Sequence, residues 1–214
     1  MHLISVNVGQ PQLVLRDGRR YSTAINKQPV DGPLSLETTG LAGDRQADAA
    51  NHGGSDKAVC CYPHEHYEYF AGKLAVDDLT IPSFGENFTT SGLLENDVCI
   101  GDTFEVGEAV VQISQPREPC WKLAQKHNNR ELIRWVLQSQ FTGFYVRVLQ
   151  PGRVSAGDEL RLVQRLHPDV TVASATIALH AKQPDREQVA HFSTLPELSS
   201  GWRQRFAERL ESLS

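Results

Sequence analysis

The sequence predicts a mainly β fold, with a barrel-like core that contains some helices and a small three-helix unit at its C-terminal end. Two observations support this prediction. Up to about residue 165, short runs of β-branched and aromatic residues alternate with Gly, Pro and Asp, a pattern typical of strands joined by turns. After His167-Pro168 that alternation stops and apolar residues recur at helical spacing. We therefore assign residues 1–166 to a β domain and residues 167–214 to a helical domain.

The predicted strands are short and bounded by turn residues, and closing them into a barrel or rolled sheet would remove most exposed edges. Gly101-Asp102 and Gly157-Asp158 each stand where a turn leads into a strand, which indicates shared turn chemistry. In chain order the predicted strands are Leu3–Val8, Gln12–Arg16, Arg19–Ile25, Ala58–Tyr62, Val98–Ile100, Thr103–Val106, Ala109–Gln115, Gly143–Leu149 and Glu159–Gln164.

Helical spacing of apolar residues predicts three helices inside the β region. The first follows Pro63, and the second and third are separated by Asn128-Asn129. Their predicted bounds are His64–Leu74, Trp121–His127 and Arg130–Gln138.

Three more helices are expected in the C-terminal part. Asp169 is expected to cap one over about Val170–Lys182, Asp185–Phe192 forms the second, and Ser199 or Ser200 caps the third. Helices of this length are not stable alone, so we expect them to pack on one another or on a partner. The third carries an apolar stripe that suits an internal contact or a homodimer contact equally well, formed by Trp202, Phe206 and Leu210.

The composition excludes several classes of protein. The chain has 214 residues and a net charge of −5, which argues against nucleic acid or an anionic membrane surface as a partner. The N-terminal segment lacks the features of a signal peptide, and no stretch has about 18 uninterrupted apolar residues, so we expect no processing and no membrane span. Four cysteines without a CxxC pair indicate neither a disulfide framework nor a metal cluster, and they favour a cytoplasmic location.

A glycine-rich stretch is the densest group of candidate binding residues. It runs over residues 39–57 and leads into a predicted strand. Glycine reaches positive φ, which lets successive backbone N–H groups converge on an anion, and Arg45, His52 and Lys57 add positive charge. The spacing matches neither the phosphate-loop nor the dinucleotide motif. An anion or phosphate site and plain turn formation therefore both remain open.

Cys120 lies between a predicted strand and a predicted helix, next to Arg117 and Lys122. A helix N-terminus and nearby cations favour the thiolate, which is the nucleophilic and metal-binding form of cysteine. The alternative is a small buried apolar residue, the usual role of a free cysteine. Both interpretations of this residue remain open. The other three cysteines lie inside apolar strands and are expected in the core: Cys60, Cys61 and Cys99.

Two further motifs support weaker expectations. The segment Phe84–Thr90 predicts either a turn into a strand or a polar loop in which Asn87 and Thr89 face a ligand. The run His64-Glu65-His66 looks like a metal motif, but residues i and i+2 of a helix do not share a face. We therefore expect no metal site there.

Five of these segments occur in the order typical of the MOSC domain, the C-terminal fold of the molybdenum-cofactor sulfurases. They are Gly40–Arg45, His52-Gly53-Gly54 with Lys57, Gly85–Phe88, Arg117–Cys120 with Lys122, and Arg147–Asp158. The chain resembles that family over about residues 40–160, and its helical tail is similar to the YiiM-type bacterial members. The resemblance implies a β-barrel-like MOSC core followed by a three-helix domain.

The resemblance also implies a molybdenum cofactor, with molybdopterin as its organic part. Cys120 stands at the position of the family's single essential cysteine, which ligates molybdenum in the related amidoxime-reducing enzymes. A planar purine substrate would find Trp121 nearby as a surface for stacking. The cofactor-binding residues implied are Gly43, Asp44, Arg45, His52, Gly53, Gly54, Lys57, Asn87, Thr89 and Arg117.

YiiM-type proteins are associated with a detoxifying reaction, the reduction of N-hydroxylated base analogues such as 6-hydroxylaminopurine to the amine. That reaction consumes two electrons and two protons. The sequence has no iron–sulfur or dinucleotide motif, so a separate flavin-containing reductase is expected to supply the electrons. Two alternatives remain: a sulfur carrier with a persulfide on Cys120 in cofactor maturation, and a non-catalytic binding module whose helices dock a partner.

Overall fold

The computed structural model describes residues 1–16 and 18–213. The strands found there are β1 His2–Val8, β2 Gln12–Arg16, β3 Arg19–Thr23, β4 Gln28–Pro29, β5 Leu34–Glu37, β6 Gly40–Leu41, β7 Val59–Pro63, β8 Phe88–Ser91, β9 Thr103–Val106, β10 Ala109–Pro116, β11 Phe144–Gln150, β12 Gly152–Val154 and β13 Leu160–Gln164. The α-helices are α1 Ala49–His52, α2 His66–Leu74, α3 Trp121–Lys126, α4 Leu132–Ser139, α5 Val172–His180, α6 Arg186–Thr194 and α7 Ser200–Ser212.

Eight strands form one curled, half-barrel sheet in the order β13-β9-β10-β11-β7-β8-β1-β4. Neighbouring strands are antiparallel, except that β7 and β8 run parallel. The sheet curls until β1 approaches β13, where His2 bridges Glu159 and the backbone N–H of Leu3 donates to the carbonyl of Asp158 at 2.9 Å. This architecture, with helices between strands and three more at the C-terminal end, confirms the predicted fold class.

One cluster of buried side chains joins the curled sheet to the C-terminal helices. Phe104 and Val111 enter it from the sheet, and Phe192 and Phe206 enter it from α6 and α7. Burial of side chains of this size contributes about 1.5–3 kcal/mol each. The apolar stripe of α7 packs inside the chain, so the internal contact is the one observed. The domain boundary between residues 166 and 167 stays a prediction.

A second apolar cluster packs the helices α2, α3 and α4 together. It combines Tyr67 and Phe70 of α2 with Phe84, Leu123 of α3 and Val136 of α4. The ring of Phe84 stacks on that of Tyr62 with centroids 4.1 Å apart. These contacts fix α3, and with it the loop that precedes α3.

Two predictions are wrong, one about residues 98–100 and one about the start of α5. The segment Val98–Ile100 is a turn with one isolated bridge from Cys99 to Thr171, instead of a strand. Helix α5 is capped by Thr171, whose hydroxyl accepts from the N–H of Ser174 at 3.0 Å, and not by Asp169. The backbone bonds between residues 98–100 and 170–172 keep residues 170–172 extended and so delay the helix, and because they form only one bridge, they do not make Val98–Ile100 a strand.

Other local predictions are confirmed. The helix expected over Asp185–Phe192 is α6, and of the two candidate caps for α7, Ser199 is the one observed. The N-cap of α6 is Asp185, which accepts from the N–H of Glu187 at 2.8 Å. The two Gly-Asp turns are alike, since Asp102 accepts from the N–H three residues earlier at 2.9 Å and Asp158 does the same at 2.8 Å. Among the described residues, no helix has both the length and the apolar character needed to cross a bilayer.

Several short strands are absent from the sequence prediction: β4, β5, β6, β8 and β12. Runs of two to four residues are too short to show a period of two, and partners distant in sequence define them as strands. The strand β8 is the important case, because it lies between β7 and β1 and follows directly on Asn87. The segment Phe84–Thr90 is therefore a turn that leads into a strand.

Candidate functional site

Six of the eleven predicted site residues line one cavity, here called the inner cavity. Its wall is rich in positive charge, with Asp48 and Glu118 as its carboxylates. Among the predicted residues, those that line it are Arg45, His52, Lys57, Asn87, Arg117 and Cys120.

A second, larger cavity, here called the outer cavity, adjoins the first. The two share several wall residues, among them His52, Lys57 and Cys120. The outer cavity is completed by the glycine-rich loop, including Gly53 and Gly54, and by the first turns of α7. Cys120 is therefore placed where the two cavities meet.

The loop between β10 and α3 positions Cys120. Cys120 is the N-cap residue of α3, with extended backbone angles, and its carbonyl accepts from the N–H of Leu123 at 2.9 Å. Upstream, the backbone of Arg117 is fixed to the neighbouring strand region, because its N–H donates to the carbonyl of Gly143 at 3.0 Å. Between them, Glu118 is anchored on the C-terminal helices by Arg205 and by His180, the latter at 3.1 Å.

The thiol of Cys120 is acidic for a cysteine. Its partial burial raises the pKa, but a hydrogen bond from His52, the charge of Arg117 and the N–H of Lys122 together lower it to about 7. His52 ends the short helix α1, whose start is fixed by Asp48, which accepts from the N–H of Asn51 at 3.2 Å. Near neutral pH a large fraction of Cys120 is therefore thiolate, the form that attacks electrophiles and binds metals.

Arg117 is a buried cation in the wall of the inner cavity. It is 6% exposed, its Nη2 donates to the carbonyl of Phe84 at 2.6 Å, and its guanidinium lies 5.9 Å from the ring centroid of Tyr62. Burial lowers its pKa, but the nearby acidic groups, Cys60 foremost, raise it overall. Arg117 therefore remains charged at any physiological pH.

Some wall residues were not identified from the sequence. Lys27 lies in a loop without a motif and is buried against Asp44, with which it forms an ion pair. Tyr145 lies inside β11, where nothing in the strand pattern distinguishes it from a packing residue. Cys60 is buried, as expected of a core residue, and yet it borders the inner cavity.

Three predicted cofactor residues, Gly43, Asp44 and Thr89, line neither cavity. Asp44 accepts from the N–H of Gly9 at 2.7 Å and from Nδ2 of Asn87 at 2.9 Å. It therefore supports Asn87, a residue of the cavity wall, without lining the cavity itself. Gly43 forms a turn at φ +81°, and the hydroxyl of Thr89 donates to Glu86 at 3.0 Å.

Of the two histidines in the run His64-Glu65-His66, only His66 belongs to α2, and it plays a structural part. His66 is buried, bonds Glu95 at 2.7 Å and stacks on Phe141 with ring centroids 3.9 Å apart, whereas His64 is exposed. In the described part of the chain, no group of three or more His, Cys, Asp or Glu side chains is arranged to hold a metal ion. A metal at Cys120 would therefore take its other ligands from a non-protein group.

Comparison with protein families gives two matches that together cover most of the chain. The MOSC domain matches residues 48–161, and the YiiM-like, 3-alpha helix domain matches residues 170–213. The chain therefore belongs to the MOSC domain family, and its C-terminal helices are of the YiiM-like type.

Individual relatives agree with this assignment. The chain is 42% identical to protein YflK of Bacillus subtilis (strain 168), over 99% of this chain and 95% of that protein. It is 40% identical to protein YiiM of Escherichia coli (strain K12), over 87% of this chain and 84% of that protein. The crystal structure of YiiM from Geobacillus stearothermophilus superposes with a TM-score of 0.83, at 36% identity and 98% coverage of both chains.

A more distant relative bears on activity. A protein of Gibberella moniliformis (strain M3125 / FGSC 7600) named reductase is 31% identical over 182 residues. The match covers 84% of this chain and 32% of that protein, so the chain corresponds to about a third of the fungal protein.

Proposed function

We propose that this protein is a molybdenum-cofactor-dependent reductase of N-hydroxylated compounds, among them base analogues such as 6-hydroxylaminopurine. One observation carries the proposal: the acidic thiol of Cys120 lies in the wall of a cavity lined by cations. Membership of the MOSC family and the reductase name of the fungal relative support the same class of activity.

The residues of the inner cavity fit the chemistry of this cofactor. A thiolate is a soft ligand of the kind that suits molybdenum bound to a dithiolene, and Cys120 supplies it. The phosphate and pterin of the cofactor carry negative charge or hydrogen-bond acceptors, for which Arg45, Lys57 and Arg117 provide cationic donors.

The reaction converts an N-hydroxyl compound, two electrons and two protons into an amine and water. When bound, the cofactor supplies the electrons to the substrate. Cys120 would hold the metal, while Arg45, Lys57 and Arg117 orient the anionic part of the cofactor. The ring N–H of His52, which donates to the sulfur of Cys120, would deliver one of the two protons to the departing hydroxyl group.

The electrons have to come from a partner, and we propose a separate flavin-containing reductase in the cytoplasm. All four cysteines are free thiols, which agrees with a reducing compartment. The proposed substrate is a small molecule, with neither nucleic acid nor a membrane as a partner. Because the apolar stripe of α7 is used inside the chain, a homodimer would need another surface.

The experiment is purification from a host that makes the cofactor, followed by analysis of molybdenum and pterin and an assay of 6-hydroxylaminopurine reduction with an added flavin reductase. We expect near-stoichiometric molybdenum in the natural protein and its loss, together with activity, in Cys120→Ser. Cys99→Ser is the matched control, because Cys99 is buried away from both cavities and its thiol donates to the carbonyl of Pro168.

Two other outcomes would favour the alternatives. Protein without metal or pterin but with persulfide on Cys120 would overturn the reductase proposal in favour of a sulfur carrier. If cells producing Cys120→Ala tolerate N-hydroxylated bases as well as cells with the natural protein, a non-catalytic binding module becomes the better interpretation.

A further inference from the structure

The two cavities that meet at Cys120 differ in charge. Lys27, Arg45 and Arg117 line only the inner cavity. The outer cavity adds one cation that the inner one lacks, Arg205, and this residue is bound to Glu118. The two cavities therefore suit ligands of different charge. The inner cavity suits an anionic ligand, and the outer cavity suits an uncharged one.

Three carboxylates of the described residues line the outer cavity, and two of them are paired with arginines. Asp56 accepts from Nε of Arg147 at 2.9 Å, and Glu118 accepts from Nη2 of Arg205 at 2.9 Å. The third, Asp48, accepts from Asn51, and Lys57 and Lys122 in the same wall offset its charge. A paired carboxylate neither attracts a cation strongly nor needs a charged ligand to offset it. The outer cavity thus provides polar groups with little net charge.

One wall of the outer cavity carries a flat aromatic surface. Trp121, the residue after Cys120, is 54% exposed and lines the outer cavity only. Its indole is held by the ring of Tyr21, with centroids 4.8 Å apart in an edge-on arrangement. Exposed indole that is fixed in place offers a stacking surface for a planar ring at low entropic cost.

The first turn of α7 forms another part of the wall and lines only the outer cavity. Gly201 in this turn is exposed, and a Cβ added there would meet no atom within 4 Å. A larger side chain at Gly201 would therefore add bulk to the wall of the outer cavity without a clash at its Cβ.

We propose that the outer cavity is the substrate chamber. It takes an uncharged, planar N-hydroxylated heteroaromatic compound, whose ring stacks on Trp121 while its N–OH group reaches Cys120 from the side opposite the inner cavity. The C-terminal helices thereby acquire a role in specificity, because α7 closes the chamber. This inference rests on the proposed function, since it divides the two cavities between cofactor and substrate.

The test compares Gly201→Leu with Gly72→Leu in the cofactor-loaded protein. Gly72 is the matched control, because it is an exposed glycine of α2 with equally open space and lines neither cavity. The dissociation constant of 6-hydroxylaminopurine is measured by calorimetry, and kcat/KM is measured for that compound and for hydroxylamine, which has no ring. Molybdenum content is determined for each variant.

We expect Gly201→Leu to weaken binding of 6-hydroxylaminopurine about tenfold and to lower its kcat/KM similarly, with hydroxylamine turnover and molybdenum content unchanged. Trp121→Ala should have the same selective effect, and Trp121→Phe should restore most of the affinity. Gly72→Leu should leave every quantity at its natural value.

The inference is overturned if Gly201→Leu leaves the affinity for 6-hydroxylaminopurine unchanged, or if it lowers turnover of both substrates equally. Loss of molybdenum in Gly201→Leu would also contradict it, because the chamber would then be part of the cofactor site. Failure of the proposed function has a different signature, namely that the natural protein holds no molybdenum and reduces neither compound.

Discussion

Cys60 and Cys120 line the same cavity, yet the pKa values of their thiols are shifted in opposite directions. Burial raises the pKa of Cys60, whereas the partners of Cys120, led by the hydrogen bond from His52, overcome its burial and lower its pKa to about 7. At neutral pH a large fraction of Cys120 is therefore thiolate, whereas Cys60 stays protonated. The sequence indicates part of this difference, because Arg117 and Lys122 lie close to Cys120 along the chain, but the hydrogen bond from His52 exists only in the folded protein.

The first prediction concerns the pH dependence of thiol alkylation. The rate of iodoacetamide modification of Cys120 should rise with pH through about 7 and fall about tenfold per pH unit below it, because only the thiolate reacts. Replacing His52 by Gln should move the midpoint up, towards the value of an ordinary thiol near about 8.5. Mass spectrometry of the labelled peptide measures both midpoints. Equal midpoints in the two proteins would show that His52 does not set the acidity of Cys120.

The second prediction concerns the anchor between the Cys120 loop and α7. Glu118 and Arg205 form a two-point salt bridge, but both side chains are about 40% exposed. We therefore expect a coupling free energy of only about 0.2–1 kcal/mol in a double-mutant cycle of Glu118→Gln and Arg205→Gln. Urea unfolding of the four proteins measures it. A coupling of several kcal/mol would mean that the bridge, and not the apolar core, holds the helices to the sheet.

The third prediction concerns the shared core. Phe206 is fully buried among residues from the sheet and from α5 to α7, so Phe206→Ala should cost about 3–5 kcal/mol. Ile177, on the exposed side of α5, is the control, and Ile177→Ala should change stability by less than about 0.5 kcal/mol. Guanidinium unfolding should show one transition detected by all probes, because sheet and helices share one core. A separate, earlier transition of the helices would contradict the continuous core.

The fourth prediction separates backbone strain from steric overlap at two glycines with positive φ. At Gly43 an added Cβ would meet nothing within 4 Å, so Gly43→Ala should cost only the conformational penalty of about 1–2 kcal/mol. At Gly143 the Cβ would lie 2.5 Å from the carbonyl oxygen of Cys61, which adds about 1–3 kcal/mol. Gly143→Ala should also lower molybdenum content, because the carbonyl of Gly143 holds the N–H of Arg117. Thermal unfolding measures the stability of both variants, and equal costs would refute the steric argument.

Much of the fold was predictable because its signals are local. Alternating and helical patterns give the long strands, the helices before and after residue 167, and the cap at Ser199. The short strands were not predictable, because β5, β8 and β12 become strands only through partners distant in sequence. The same long-range pairing shifts the start of α5 from Asp169 to Thr171.

The functional site was also predictable only in part. By itself the sequence identified Cys120, its cationic neighbours and the glycine-rich loop, because residue types and spacing within short segments carry those signals. Only the tertiary structure decided that His52 bonds Cys120, that Lys27 and Cys60 border the same cavity, and that α7 closes a second one. The physical reason is that the pKa of a thiol and the shape of a cavity depend on groups within a few ångströms in space, and curling of the sheet brings those groups together from segments far apart in the chain.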